Sequence, residues 1–247
     1  MESTSDKIWH HGYQRYYDNF FRNIVVCPNV LEIGIDNGYS LGLWSTYLVD
    51  PKMHAIDIKN KSVPDWVSFC CVDQSSASML ESYASDKLDY FDVIIDDGSH
   101  VPEHQMLTLE KLWKCLKPGG AYVIEDTETC YWRRTELYGY EFDGRVRSVN
   151  IIRQLPDIVD FVNSEFSDVS KHPDGRLSVY KDIDMVMVGA NCICLIKKNP
   201  TEYSQYYERE YRNAGLMNRR SPLLRGMRFV LHHVRLFKSI FLNRFSR

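Results

Sequence analysis

The sequence predicts an open α/β fold built on a mostly parallel sheet, and three observations carry that prediction. Short apolar runs alternate with helical patterns between residues 29 and 126. Two of the runs, FDVIIDD and AYVIED, end in adjacent carboxylates, and the turn after the chain's first strand holds Gly34 and Gly38. Alternation of this kind makes β-α-β units and a parallel sheet. Acidic residues where buried strands end mark the carboxyl edge, where open α/β sheets bind ligands.

The elements follow in order. Residues 8–22, rich in aromatics, read as a helix ahead of the sheet. Strands are expected at 29–35 (NVLEIGI), 52–58 (KMHAIDI), 67–73 (VSFCCVD), 91–97 (FDVIIDD) and 121–126 (AYVIED). Helical patterns lie near 40–49, 75–87 and 103–116, and KPGG at 117–120 supplies a stop for the last of them. Two further runs, around 183–190 and 192–198, are separated by little more than Ala190-Asn191 and read as a closing antiparallel hairpin. That gives seven strands with helices on both faces. The chain divides into an N-terminal helical segment (1–28) over the ligand edge, a main domain (29–200) and a basic C-terminal tail (201–247).

The 247 residues suffice for one such domain with a large core, and the 44% hydrophobic and 26% charged fractions are those of a globular protein. Seven cysteines, odd in number and mostly inside predicted elements, point to a reducing, cytoplasmic setting rather than a disulfide framework. Cys192 and Cys194 fall on one strand face without a second pair, so zinc is not expected. The polar, aromatic N-terminus does not read as a signal peptide, and no apolar run approaches the roughly 20 residues of a membrane span. The net charge of −3 hides an asymmetry: Tyr211–Arg247 carries nine Lys/Arg and no acid, leaving 21 basic against 33 acidic residues elsewhere. An excess of acid over the body, with no recognition module in view, argues against nucleic acid.

The chemistry concentrates at FDVIIDDGSH (91–100) and GGAYVIEDTETCYW (119–132). Asp97 precedes Glu125 by 28 residues, the length of one helical crossover, so neighbouring strands bring Asp97, Glu125 and Asp126 together. Three carboxylates in one small volume need a cation or protons, and their oxygens suit a hard divalent ion such as magnesium. His100 is then a base beside a metal, whereas His104 reads as a helix-surface residue. Strand alternation points Asp96 away from Asp97. After the first strand, Gly34 and Gly38 let a ligand approach the backbone; Asp57 ends strand two, where a carboxylate can accept ribose hydroxyls, and Asp73-Gln74 ends strand three, on the adenine side. Residues 127–148 contain no clear element but hold five aromatics and four arginines. A connection that long is a lid or a disordered segment, and the aromatics disfavour disorder. It reads as the substrate wall, with Tyr131 and Trp132 at its start, or as a surface excursion packed on the body or another subunit.

Together, LEIGIDNG, Asp57, Asp73-Gln74, DDGSH followed by EHQMLTLEKLWKCLKPGGAYVIED, and the leading SDKIWHHGYQRYY resemble the class I, Rossmann-like, S-adenosylmethionine- and magnesium-dependent O-methyltransferases. Within these the resemblance is to the sugar O-methyltransferases of macrolide biosynthesis (macrocin and mycinamicin types) and their cephalosporin hydroxylase-like relatives. It covers roughly residues 5–198. It implies Asp97, Glu125 and Asp126 as metal ligands, His100 as general base, and Glu32, Gly34, Ser40, Asp57, Asp73 and Gln74 around S-adenosylmethionine, with Asp97 at the junction and Tyr13 covering the cofactor. Asp36-Asn37 departs from the smaller residues common in that glycine turn, and the resemblance does not account for the tail.

The expected activity is methyl transfer to a sugar hydroxyl of a glycan, glycolipid or glycosylated natural product. A metal-dependent hydroxylase, or a non-catalytic binding or membrane-scaffold protein on the same fold, are the alternatives. Residues 223–245 repeat apolar side chains every three or four positions opposite Arg225, Arg228, His232 and Arg235, an amphipathic basic helix. Such a helix fits an anionic membrane face, which would place the protein peripherally on the inner leaflet, and equally fits packing within the protein or a homo-oligomer.

Overall fold

The computed structural model describes residues 5–22, 24, 26–163 and 179–201. Expectations for the tail, including the helix at 223–245, lie outside the described residues. Five parallel strands form where the apolar runs stand: β1 (Asn29–Ile33), β2 (Lys52–Asp57), β3 (Val67–Cys71), β4 (Phe91–Asp96) and β5 (Leu116–Glu125). Beyond the small pair β6 (Thr135–Leu137) and β7 (Tyr140–Phe142), the chain returns as β8 (Ile183–Gly189) and β9 (Cys192–Lys197), antiparallel through the two-residue turn Ala190-Asn191. The large sheet has seven strands in the order β3-β2-β1-β4-β5-β9-β8. The order reverses between β1 and β4, which is where an open α/β sheet parts at its carboxyl edge.

Alternation along the strands loads both faces. Leu31, Ile33, Ile56, Ile94, Tyr122, Ile124, Ile193 and Leu195 enter one apolar cluster with α4 (Ala77–Tyr83), α5 (Pro102–Leu112) and α6 (Ile151–Val162). Val30, Met53, Ala55, Val93, Ile95, Val123, Cys192 and Cys194 enter the other, under α2 (Gln14–Phe20) and α3 (Trp44–Tyr47). Cys192 and Cys194 share one buried face as alternation requires, each behaving as a small apolar side chain.

Four local expectations are corrected. The N-terminal helix is two short ones, α1 (Asp6–Trp9) and α2, separated by Gly12 at φ +64. Residues 40–49 are mostly turns around the single turn α3. KPGG does not end the helix: α5 stops at Leu112, and residues 117–120 lie inside β5 as a bulge, since Phe91 pairs with Leu116 but Val93 with Ala121. The connection 127–148 is structured, with a 3-10 turn (Thr127–Tyr131), the hairpin β6–β7 and a second 3-10 turn (Arg147–Val149). It leads into α6, which the sequence patterns above did not predict. Asn150 caps α6 by accepting from Ile152 N at 2.9 Å and Arg153 N at 3.3 Å, and Ile151, Ile158 and Phe161 bury one face.

Candidate active site

At the carboxyl edge, beside the β1/β4 reversal, lies a cavity of about 770 Å³. Gly34, Ser40, Asp57, Asp73, Gln74, Asp97, His100 and Asp126 line it, as do Tyr138 and Tyr140 of the β6–β7 hairpin. The volume is that of a small-molecule site.

The backbone of the cavity floor is fixed by close approach. Gly34 N donates to Ile56 O at 2.8 Å and Asp97 N donates to Ile33 O at 3.0 Å, so the ends of β1, β2 and β4 are tied together. Gln74 Nε2 donates to Asp96 Oδ1 at 2.6 Å, while Ser99 N donates to Gln74 Oε1 at 2.9 Å. This places the Gln74 amide against Gly98, where it leaves no room for a Cβ. Gln74 therefore holds the 97–100 loop as well as lining the cavity. The Asp57 carboxylate accepts from Ile35 N at 3.2 Å and Lys59 N at 2.9 Å, which aims it across the glycine turn. Asp73 accepts from Ser75 N at 2.8 Å and from Ser75 Oγ at 2.7 Å.

Asp97, His100 and Asp126 each offer a donor atom, and these atoms all lie within 4.8 Å of one another. His100 Nε2 is 3.6 Å from Asp126 Oδ2. Two carboxylates and an imidazole at that spacing form a donor set for a divalent cation. His100 and Asp126 reach this arrangement through left-handed backbones, φ 57 and φ 52, which turn both side chains toward the cavity. Asp126 is steadied by Tyr13, whose hydroxyl donates to Oδ1 at 2.5 Å, and by Asn191 Nδ2, which donates to the same oxygen at 3.0 Å.

The third expected carboxylate is placed elsewhere. Glu125 is fully buried and does not line the cavity. Tyr17 Oη donates to its Oε1 at 2.6 Å, and the Lys7 ammonium donates to its Oε2. The cause is alternation: with Asp96 paired to Ile124, Glu125 follows Asp97 onto the face covered by the N-terminal segment. Glu32 is on that face too, fully buried, accepting from Trp44 Nε1 at 2.9 Å and lying 3.6 Å from Lys7 Nζ. It touches lysine and indole rather than the cavity. Tyr13 holds Asp126 and does not line the cavity, and neither does Gly38. Tyr131 and Trp132 also stand outside it, 57% and 40% exposed. Arg153 lies over the Tyr131 ring and Phe142 stacks on Trp132. His104, expected on a helix surface, is buried with Nδ1 2.8 Å from Ser99 Oγ and its ring edge-on to Tyr140.

The electrostatics follow from burial. One ammonium faces three carboxylates, Asp97, Glu125 and Glu32. Burial alone would push the Lys7 amine down, but the surrounding carboxylates outweigh it and hold Lys7 charged. Burial pushes Glu125 up to about 8 against the pull of Lys7, and raises Asp97 and Glu32 above the usual carboxylate range. Asp96, on the opposite face, is pushed up to about 7 by burial despite its hydrogen bond from Gln74. A folded-state value above the unfolded one stabilises the protein fully below about pH 4 and loses that contribution as pH rises through about 7. Wild type should therefore lose stability relative to Asp96→Asn between pH 4 and pH 8, by an amount on the order of a few kcal/mol. Urea unfolding of both proteins across that range measures it, and parallel stability profiles would refute it.

Sequence reasoning missed Lys7, Tyr17, Trp44 and Asn191. The available signal was alternation itself, which puts Glu32, Asp97 and Glu125 on one face and so demands a nearby cation or proton.

No family model matches the chain. Individual known proteins do. The chain is 30% identical over 199 residues to mycinamicin VI 2''-O-methyltransferase of Micromonospora griseorubida, covering 73% of this chain and 49% of that protein. It is 36% identical over 203 residues to demethylmacrocin O-methyltransferase of Streptomyces fradiae, with the same two coverages, 73% and 49%. It also resembles the MycE methyltransferase of the mycinamycin biosynthetic pathway, solved in complex with Mg, SAH and mycinamycin VI. That similarity has a TM-score of 0.64 and 27% identity over 77% of this chain and 50% of that one. The chain spans about half the length of the curated relatives it matches. The seven-stranded architecture is the Rossmann-like methyltransferase fold. Among the described residues no helix is long and apolar enough to cross a membrane.

Proposed function

This chain belongs to the family of the macrolide and tetracenomycin sugar O-methyltransferases, and from that premise we propose that it transfers a methyl group from S-adenosylmethionine to a sugar hydroxyl with help from a divalent cation. The observation that carries the reading is the grouping of Asp97, His100 and Asp126 in the same cavity that Gly34, Asp57 and Asp73 line. The two carboxylates suit magnesium or manganese with His100 free beside them, and the cavity can take a nucleoside-sized ligand.

The residues divide the work between cofactor, cation and acceptor. Asp57 is placed to accept ribose hydroxyls, while Ser40 and the backbone beside Gly34 line the approach of the rest of the cofactor. Asp97 and Asp126 would hold the cation, which would supply positive charge beside the acceptor hydroxyl and make it easier to deprotonate. His100 Nε2, beside Asp126, takes the hydroxyl proton; histidine is the side chain type suited to that transfer near neutral pH. Tyr138 and Tyr140 line the cavity from the β6–β7 side, where they are the aromatic side chains within reach of an acceptor sugar. The methyl group comes from the sulfonium of S-adenosylmethionine. Positioning of the two reactants supplies much of the rate. A hydroxylase fits less well, because one histidine with two carboxylates is not the two-histidine, one-carboxylate set of non-haem iron.

The test uses full-length protein with S-adenosylmethionine and a panel of deoxysugar-bearing acceptors, read by mass spectrometry. Chelation should abolish transfer, and added magnesium or manganese should restore it. Undiminished transfer by metal-free enzyme would remove the cation from the proposal, and absence of transfer to every sugar hydroxyl would remove the activity.

A further inference from the structure

The turn after β1 carries Asp36-Asn37, larger than the residues common at that place, and a lysine from the next loop holds it. Asp36 has φ 38, a left-handed backbone that aspartate adopts less readily than glycine. Asn37 Nδ2 donates to Asp36 Oδ2 at 2.7 Å, and Lys61 Nζ donates to the Asp36 carbonyl oxygen at 2.6 Å. The same ammonium lies 3.9 Å from Asp57 Oδ2. That is too long for a hydrogen bond but short enough for attraction between opposite charges. Asp57 accepts from Ile35 N on Oδ2 and from Lys59 N on Oδ1, so about half of the lone-pair sites of the carboxylate stay open. The Lys61 side chain is 23% exposed, and it lines the cavity along with Asp36 and Asp57.

We propose that Lys61 is a positioning residue for the cofactor: by bonding to the Asp36 carbonyl it latches the loop after β2 onto the turn after β1, and so sets the Asp57 carboxylate for the ribose hydroxyls. The inference rests on the cofactor reading above. Asp57 is the last residue of β2, and residues 58–66 form no helix or strand. Such a loop has many conformations, and a bond across it removes part of that freedom before a ligand arrives. The ammonium also opposes rotation of the Asp57 side chain by charge attraction. Without Lys61, the ordering of the loop falls to the ligand and weakens its binding. The loss is confined to the ribose end, because Gly34 stays tied through Gly34 N→Ile56 O, a bond that does not involve Lys61.

The experiment is isothermal titration calorimetry of the full chain, wild type and Lys61→Met, with S-adenosylhomocysteine and with its dideoxyribose analogue. Lys61→Met should bind S-adenosylhomocysteine about tenfold more weakly than wild type, the scale of a hydrogen bond from a charged group. It should bind the dideoxyribose analogue as wild type does. Lys61→Arg keeps the charge and the donors and should recover most of the loss. In turnover, Lys61→Met should raise KM for S-adenosylmethionine and leave kcat near its wild-type value, since the ribose is gripped equally in ground and transition states. Should Lys61→Met fold poorly, Lys61→Gln, uncharged and too short to make the bridge, takes its place in the same titrations. Equal loss of both ligands, or loss of neither, overturns the inference while the cofactor reading stands. So does a wild type that binds both ligands equally, since Asp57 would then hold no ribose hydroxyl. No binding of S-adenosylhomocysteine by wild type removes the cofactor reading as well.

Discussion

Replacing His100 by asparagine should lower kcat for methyl transfer by about two to four orders of magnitude, the usual loss when a general base is removed. The affinity for S-adenosylmethionine should change little. Asparagine is the informative substitution because position 100 has φ 57, a left-handed conformation that asparagine tolerates and alanine resists. Alanine would mix backbone strain with the loss of the base. The imidazole is well placed to take the proton, since Nε2 faces Asp126, and Nδ1 is buried with no hydrogen-bond partner among the described residues. A competing base exists in His11, whose Nδ1 lies 3.5 Å from the other Asp126 oxygen. His11→Asn should therefore retain kcat within about an order of magnitude. Should the His100 variant keep a near-normal kcat while the His11 variant loses it, the proton goes to His11 and His100 is not the base.

The sequence showed the parallel strands because a strand buried on both faces must be apolar throughout, and NVLEI, FDVII and AYVI are nearly so. It showed the carboxyl edge because those runs stop at acids. Period-two alternation separated Asp96 from Asp97 correctly, and it placed Cys192 with Cys194. The same rule, carried across from β4 to β5, would have sent Glu125 to the face where the N-terminal segment lies. What hid this was the partner: nothing local around Lys7 marks it as buried, and its burial exists only because α1 and α2 cross the sheet ends. Asp126 escaped the strand pattern through its left-handed backbone, which no alternation argument foresees. Tyr131 and Trp132 stand next to the acids in sequence, which alone points to them as substrate wall. The β6–β7 hairpin instead folds back, so Tyr138 and Tyr140 reach the cavity. α6 was legible in principle, from Asn150 as a cap and from isoleucines at helical spacing behind it.

Gly34→Ala should be the most damaging single-methyl change at the site, lowering stability by on the order of 3–5 kcal/mol. Gly34 has φ +78, where an L side chain is already strained. A Cβ there would run into Asp97 O and would meet Gly98 Cα at 2.6 Å. Both are backbone atoms, so no rotamer change can clear the space. Relief requires parting β1 from the loop after β4, against the bonds Gly34 N→Ile56 O and Asp97 N→Ile33 O. That movement carries Asp97 and His100 with it, so cofactor and metal binding should both fall along with the melting temperature. For a domain of this size the expected loss in Tm is about 10 °C. Gly42→Ala is the matched control: a Cβ there meets nothing within 4 Å, and it should leave Tm and binding nearly unchanged. Thermal unfolding and S-adenosylhomocysteine titration of the two variants separate the cases. A Gly34 variant as stable and as tightly binding as the Gly42 one would show that the two strand ends can part at little cost, and the close approach would then not be what holds the site.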